Sequence, residues 1–141
     1  MDKIDLFLEK LINLTTDKKI TWTFLIEYMG ELEELKPGSN LFNSFEFQNE
    51  WVEIVISQSF ATKVENLGRL FLIYRIDTSA IDGFKTKGYK LYIQPNLESK
   101  IMQIPMSDEK LYYLANVVAY YRSSNENNLE LDGIIDDFLK Q

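Results

Sequence analysis

Two apolar segments on either side of a short turn constrain this chain more than any other feature of its sequence. They are SFATKV at 59–64 and RLFLIYRI at 69–76, and ENLG at 65–68 separates them. Both segments are rich in β-branched and aromatic residues, as is typical of strands. Asn and Gly are residues that a short hairpin turn favours. The sequence therefore predicts that the two segments pair as an antiparallel hairpin.

Further strands are predicted on both sides of this hairpin. FEFQ and WVEIVISQ precede it, and each either alternates or is β-branched. KLYIQP and KIMQIP follow it, each stopping at a proline, with NLES between them as a second hairpin turn. TSAIDGFKTKG, at 78–88, is predicted to be a polar loop. The middle of the chain should thus form four or five antiparallel strands in sequence order.

The two ends of the chain show helical periodicity instead. Residues 2–14 repeat apolar side chains at every third or fourth position. ITW suggests a short strand, and Trp22 then opens a second helical pattern that runs to Leu35 and ends at KPGSN. The clearest helix is predicted for 107–124, where Ser107 is a good N-cap. Its inner stripe should consist of Leu111, Leu114, Ala115 and Val118.

The segment NNLELDGIIDDFL, at 127–139, allows two interpretations. In a calcium loop with Gly133 at position six, the twelfth position requires a bidentate Glu, but Leu139 stands there. The alternative is a short last helix, capped by Asn128 after the polar linker SNENN. Its apolar stripe would consist of Leu131, Ile134, Ile135 and Phe138. We therefore predict a separate amphipathic C-terminal helix and no calcium site.

These patterns together predict an α+β fold. Residues 1–141 should form a single domain, within the usual size range of one folding unit. The architecture expected is an antiparallel β-meander of four to five strands, with N-terminal and C-terminal helices packed mainly on one face.

The composition excludes several kinds of chemistry. The chain has no cysteine and no histidine, so it has no thiolate nucleophile, no Ser–His triad and no histidine-bearing zinc site. It has no phosphate-binding loop and no Gly-x-Gly-x-x-Gly motif, which disfavours nucleotide chemistry. We expect no catalytic residue and no cofactor, and the protein is not expected to be an enzyme.

The charge distribution bears on the choice of partner. The net charge is −7, which makes nucleic acid an unfavourable partner unless a local basic patch exists. The only candidate for such a patch is a basic loop with neighbouring aromatic residues, formed by Arg75, Lys85, Lys87 and Lys90. No apolar run is long enough to span a bilayer and no signal peptide is visible, so a cytoplasmic location without membrane contact is expected.

A tyrosine-rich face is the main candidate for a binding surface. On the helix predicted at 107–124, the flank opposite the inner stripe carries Tyr113, Val117, Tyr120 and Tyr121. A helix that is apolar nearly all round is either buried or covered by a partner. Two covers remain open, namely the predicted last helix of the same chain and a second subunit or another protein. A candidate acidic surface comprises Glu27, Glu31, Glu34, Asp132, Asp136 and Asp137.

Parts of the chain resemble a known group of proteins. TTDKKITW after an N-terminal helix, SQSFATKVENLGRLFLIYRI, and KLYIQPNLESKIMQI before an amphipathic helix are similar to segments of a family of small proteins. That family occurs in Firmicutes and their phages and mobile elements and has no assigned activity. This chain differs from it in having Lys18 and Lys19 where a glycine often stands, and in an extra segment at about 27–50. The resemblance implies a fold and a bacterial setting, and it makes Trp22 a core anchor between helix and sheet.

Three functions are consistent with these features. The first is a non-catalytic cytoplasmic protein that binds another protein or itself, as a homodimer for example. The second is an acidic inhibitor from a phage or mobile element, which presents carboxylates in place of phosphates to a nucleic-acid-binding enzyme. The third is a metal-dependent hydrolase built on carboxylates. The sequence favours the first function.

Overall fold

The computed structural model describes residues 2–27, 52–96 and 98–140, with the side chains of residues 123–132 outside that description. Helix α1 spans Lys3–Thr16 and helix α2 spans Asp108–Leu139. The strands are β1 (Thr23–Phe24), β2 (Val52–Ile54), β3 (Phe60–Val64), β4 (Gly68–Thr78), β5 (Lys85–Gln94) and β6 (Met102–Ile104). A 3₁₀ turn at Ile56–Gln58 separates β2 from β3.

The described strands form one antiparallel sheet. Its order is β1-β3-β4-β5-β6, and β2 pairs with β4 beyond the end of β3. The predicted hairpin is confirmed, because Phe60 is opposite Leu72 and Val64 is opposite Gly68. Strands β3 to β6 follow one another as a meander, with α1 before the sheet and α2 after it. The predicted α+β class and the antiparallel meander are therefore confirmed.

Both helices pack on the same face of the sheet. Alternate residues of β4, Leu70 and Leu72, point into a core that includes Leu8 and Leu11 of α1 and the inner stripe of α2. Their neighbours Phe71 and Ile73 lie on the opposite face in a second buried cluster. The period of two in β4 thus divides its apolar residues between two layers, which is why RLFLIYRI is apolar throughout.

Trp22 is a buried anchor where α1 meets the sheet. Only 3% of its surface is exposed. Its indole Nε1 donates a hydrogen bond to Thr15 Oγ1 at 3.0 Å, and Thr15 in turn donates to the Leu11 carbonyl. The one polar atom of the indole is therefore satisfied inside the core, as burial requires. The role predicted for Trp22 as a core residue is confirmed.

Three sequence predictions about individual elements are wrong in detail. The loop expected at 78–88 is shorter, because β5 already begins at Lys85 and its residues pair with β4 as far as Thr78. The pattern that opens at Trp22 starts with strand β1, and helical backbone appears at residues 25–27. The end of WVEIVISQ forms a 3₁₀ turn in place of a strand. On either side of this turn, the Val55 amide donates to the Tyr74 carbonyl, and Ser59 Oγ accepts from the Tyr74 amide.

The prediction of a separate last helix is also wrong. Helix α2 continues without a break through SNENN and ends at Leu139, so Asn128 lies inside the helix and does not cap a new one. Helix propensity over a polar stretch is determined locally, and neither Gly nor Pro interrupts SNENN. The predicted strand FEFQ, the helix beyond Glu27 and the turn KPGSN lie outside the described residues. Across the described ranges, no helix combines the length and apolar content needed to cross a membrane.

Candidate protein interface

Helix α2 starts where the sequence places its cap. Ser107 has extended backbone angles, and its Oγ accepts a hydrogen bond from the Lys110 amide. Asp108 and Glu109 occupy the first turn, where negative charge is favourable to the helix dipole. The predicted inner stripe is buried, because Leu111, Leu114, Ala115 and Val118 are all at most 4% exposed. This stripe fixes which side of α2 faces the sheet.

An ion pair joins the beginnings of the two helices. Lys110 Nζ donates to Asp5 Oδ1, and the two residues lie on α2 and α1 respectively. The bond from Lys110 holds the pKa of the Asp5 carboxyl below its ordinary value, and the same bond raises the pKa of Lys110. Asp5 also lies in the first turn of α1, where Asp2 caps the helix through the Asp5 amide. The pair therefore sets the two helices side by side at one end.

Arg122 fixes α2 against β1 at the other end of the packed segment. Its Nη1 donates to the Trp22 carbonyl at 2.9 Å, and its guanidinium lies 4.2 Å from the centroid of the Phe24 ring. Its Nη2 donates to Glu27 Oε1 at 3.1 Å. A planar guanidinium can donate hydrogen bonds to several acceptors while its face lies over an aromatic ring. Glu27, predicted as part of an acidic surface, is therefore the partner of an arginine.

The predicted tyrosine face is only partly available to a partner. Tyr113 and Tyr120 are 56% and 66% exposed. Val117 and Tyr121 are half-buried, and the Tyr121 ring packs edge-on against Tyr120 with centroids 5.2 Å apart. Sequence reasoning missed Tyr112, which is also exposed and packs edge-on against Tyr89. In the sequence, only the position of Tyr112 next to Leu111 of the inner stripe could have indicated this contact.

The last two turns of α2 form the most exposed apolar surface on the described helices. Every residue from Gly133 to Lys140 is exposed. The large apolar side chains there are Ile134, Ile135, Phe138 and Leu139, which are 60%, 46%, 72% and 73% exposed. We name this segment, Gly133–Lys140, the helix end. It contains most of the apolar stripe that the sequence predicted.

The helix end cannot cover Tyr113 and Tyr120, as one of the two predictions required. A helix of 32 residues rises about 1.5 Å per residue and is therefore about 48 Å long. Gly133 follows Arg122 by eleven residues, or about 16 Å, and no turn brings it back. The prediction that a last helix of the same chain covers the tyrosines is therefore wrong, because α2 is continuous.

The helix end and the tyrosines lie on broadly the same side of α2. Positions 113, 120 and 134 are separated by multiples of seven residues. Positions 117 and 138 are also separated by a multiple of seven, and this second set is offset from the first by four residues. A straight helix drifts by about 20° per heptad, so three heptads turn the stripe by about 60°. One flank of α2 therefore presents Tyr113 and Tyr120 near the fold and Ile134 and Phe138 at its far end.

The predicted basic patch does not form one surface. Arg75 is mostly buried: its Nη1 donates to the Tyr92 hydroxyl at 2.6 Å and its Nη2 to Asp77 Oδ1 at 2.9 Å. Lys85 and Lys87 are exposed on β5 and are not in a loop. Lys90 has its Nζ 3.7 Å from Asp108 Oδ1. Two of the four predicted cations are thus engaged within the fold.

The described members of the predicted acidic surface lie apart from one another. Asp136 and Asp137 are exposed on the helix end, whereas Glu27 pairs with Arg122 about one helix turn beyond Val118. Glu31 and Glu34, and the side chain of Asp132, lie outside the description. Where side chains are described, no group of three or more Asp and Glu residues is arranged to hold a metal ion.

Comparison with known proteins adds no assignment. No protein-family model, no curated protein and no solved structure matches the chain. The resemblance to a family of small Firmicutes proteins stays a prediction.

Proposed function

We propose that this protein is a non-catalytic cytoplasmic protein that acts by binding another protein or a second copy of itself through the exposed flank of α2. One observation supports this most strongly, namely that the helix end is exposed over its whole length while carrying four large apolar side chains. An exposed apolar surface of this kind is typical of a docking site. Amphipathic helices bind grooves through apolar residues three and four positions apart, as Ile134, Ile135 and Phe138 are.

The tyrosines contribute a second part of the same flank. Tyr113 and Tyr120 combine a large apolar ring with a hydroxyl that tolerates water, which is why tyrosine is enriched at interfaces and among hot spots. A cytoplasmic location is part of the proposal, and a chain without cysteine has none of the disulfides that stabilise many small secreted domains. The acidic-inhibitor and hydrolase alternatives receive no support from the described side chains.

A pair of substitutions on the helix end tests the proposal. Ile134→Asp with Phe138→Asp should leave the unfolding temperature nearly unchanged, because both side chains are exposed, and should abolish association. Association is measured by sedimentation of the purified protein and by capture from a nuclease-treated lysate. The nuclease treatment separates a protein partner from contacts through nucleic acid.

A matched control is available in the connection between β4 and β5. Ile81 and Phe84 are 98% and 69% exposed and lie between β4 and β5. Ile81→Asp with Phe84→Asp introduces the same charge and removes similar apolar area, so it should leave association intact. If the helix-end variant and Tyr113→Ala with Tyr120→Ala both keep every interaction of the wild type, the proposed function is wrong.

A further inference from the structure

A groove beside α1 has a rim of mainly positive charge, whereas the charges of the helix end are mainly negative. It has a volume of about 640 Å³ and lies between α1 and the β3–β4 turn. Its apolar lining consists of Phe7, Leu11, Leu14, Ile20, Val64 and Leu67. Its rim carries the exposed side chains Lys10, Lys19 and Lys63 and one acid, Glu65. We name this feature the lysine groove.

The lysines of the groove are available to an external anion. Among the residues that the structure describes, no ion pair involves Lys10, Lys19 or Lys63. Three lysines thus surround an apolar floor on a chain with a net charge of −7, and none of them forms an ion pair with another described residue. Such a groove favours an occupant that has apolar side chains and an excess of negative charge.

The helix end has both properties. Its apolar side chains are Ile134, Ile135, Phe138 and Leu139, and beside them stand Asp136 and Asp137. The C-terminal end of a long helix adds about half a negative charge from its dipole. Lys140, the single cation of the helix end, has a matching acid in Glu65 of the groove.

We infer that the helix end of one copy docks in the lysine groove of a second copy. This inference rests on the proposed function and names its partner. The two surfaces cannot meet within one chain: α1 and α2 lie side by side from the Asp5–Lys110 pair onward, and the helix end continues beyond the fold. Apolar burial supplies the attraction, and the charges on the two rims select the orientation. The contact joins two different surfaces, so a reciprocal exchange gives a closed dimer.

The test separates this contact from any other use of the helix end. The helix variant is Ile135→Asp with Phe138→Asp, and the groove variant is Lys10→Glu with Lys63→Glu; Lys85→Glu with Lys87→Glu is the matched charge control. Sedimentation across a range of concentrations measures self-association, and circular dichroism checks that each variant is folded. The helix and groove variants should each weaken association roughly tenfold or more, and the control should not.

Mixing the two variants gives the decisive result. The groove variant keeps an intact helix end and the helix variant keeps an intact groove, so an equimolar mixture should form a 1:1 complex through one contact. The inference is overturned if the wild type is monomeric at every concentration, if the groove variant associates like the wild type, or if the mixture stays monomeric. Loss of association or partner capture in the helix variant alone would overturn this inference and still support the proposed function.

Discussion

At the scale of single residues, Lys18 has a backbone conformation that residues other than glycine rarely adopt. Helix α1 ends in a Schellman arrangement: the Lys19 amide donates to the Leu14 carbonyl at 2.9 Å and the Lys18 amide to the Thr15 carbonyl at 3.2 Å. This geometry places Lys18 at φ 59°, in the left-handed region that favours glycine.

We therefore expect Lys18→Gly to stabilise the protein. Relief of the left-handed strain should outweigh the greater freedom of glycine in the unfolded chain, for a net gain of roughly 0.5–1 kcal/mol. Urea unfolding of the variant and the wild type measures the difference. Lys19→Gly is the control, because Lys19 is not among the described residues with positive φ and should only lose stability. A lower stability for Lys18→Gly than for Lys19→Gly would contradict this account.

Trp22→Ala should be among the most destabilising single changes. It removes a buried indole and leaves Thr15 Oγ1 without its donor, so we expect a loss of about 3–5 kcal/mol in the free energy of unfolding. Tyr120→Ala, at an exposed site, should change stability by no more than about 0.5 kcal/mol. Equal effects of the two substitutions in chemical denaturation would show that Trp22 is not the anchor described.

At the scale of elements, the contact between α1 and α2 depends on pH. The Asp5 carboxyl has a pKa below its ordinary value in the folded state, because Lys110 donates to it. The contribution of Asp5 to the free energy of unfolding is therefore complete above the pKa of the unfolded state, about 3.9. It is lost as the pH falls through the lower pKa of the folded state. Lys110, whose folded pKa is raised, loses its contribution as the pH rises past about 10.4.

Asp5→Asn should consequently be less stable than the wild type at pH 7. The difference between the two should begin to shrink below about pH 4, where the carboxyl of the unfolded chain takes up a proton, and should vanish as the pH falls through the lower pKa of the folded state. Unfolding in urea at pH 7, 5 and 3 follows the difference directly, and Lys110→Met should show the same trend. A gap that stays constant over this range would mean that the ion pair does not stabilise the helix contact.

The ends of α2 illustrate how far local patterns reach. The start was predictable because Ser107, Asp108 and Glu109 act within the first turn on the backbone next to them. The continuation through SNENN was not, because a polar stretch without Gly or Pro suits both a linker and an exposed helix. Residues on the two sides of this stretch appeared able to fold onto each other, and only the continuous helix shows that they are far apart.

At the scale of the whole molecule, the fold and the proposed docking segment are separate parts. Among the side chains of α2 that the structure describes, the buried ones lie between Leu111 and Val118, whereas Gly133–Lys140 is exposed throughout. Ending the chain after Asp132 should therefore change the free energy of unfolding by no more than about 1 kcal/mol and should abolish association. Thermal unfolding and sedimentation of the shortened chain check the two halves of this prediction. A large loss of stability would show that the helix end supports the fold.

The sequence by itself determined the α+β class, the β3–β4 hairpin, the cap of α2 and the burial of Leu114. These follow from periodicity and capping, which operate between residues close together in the chain. Tertiary structure alone decided which charges remain available: Arg75 and Glu27 are held by Tyr92 and Arg122, while Lys10 and Lys63 meet around one groove. Such juxtapositions join residues tens of positions apart, and only the packing of helix on sheet brings them together.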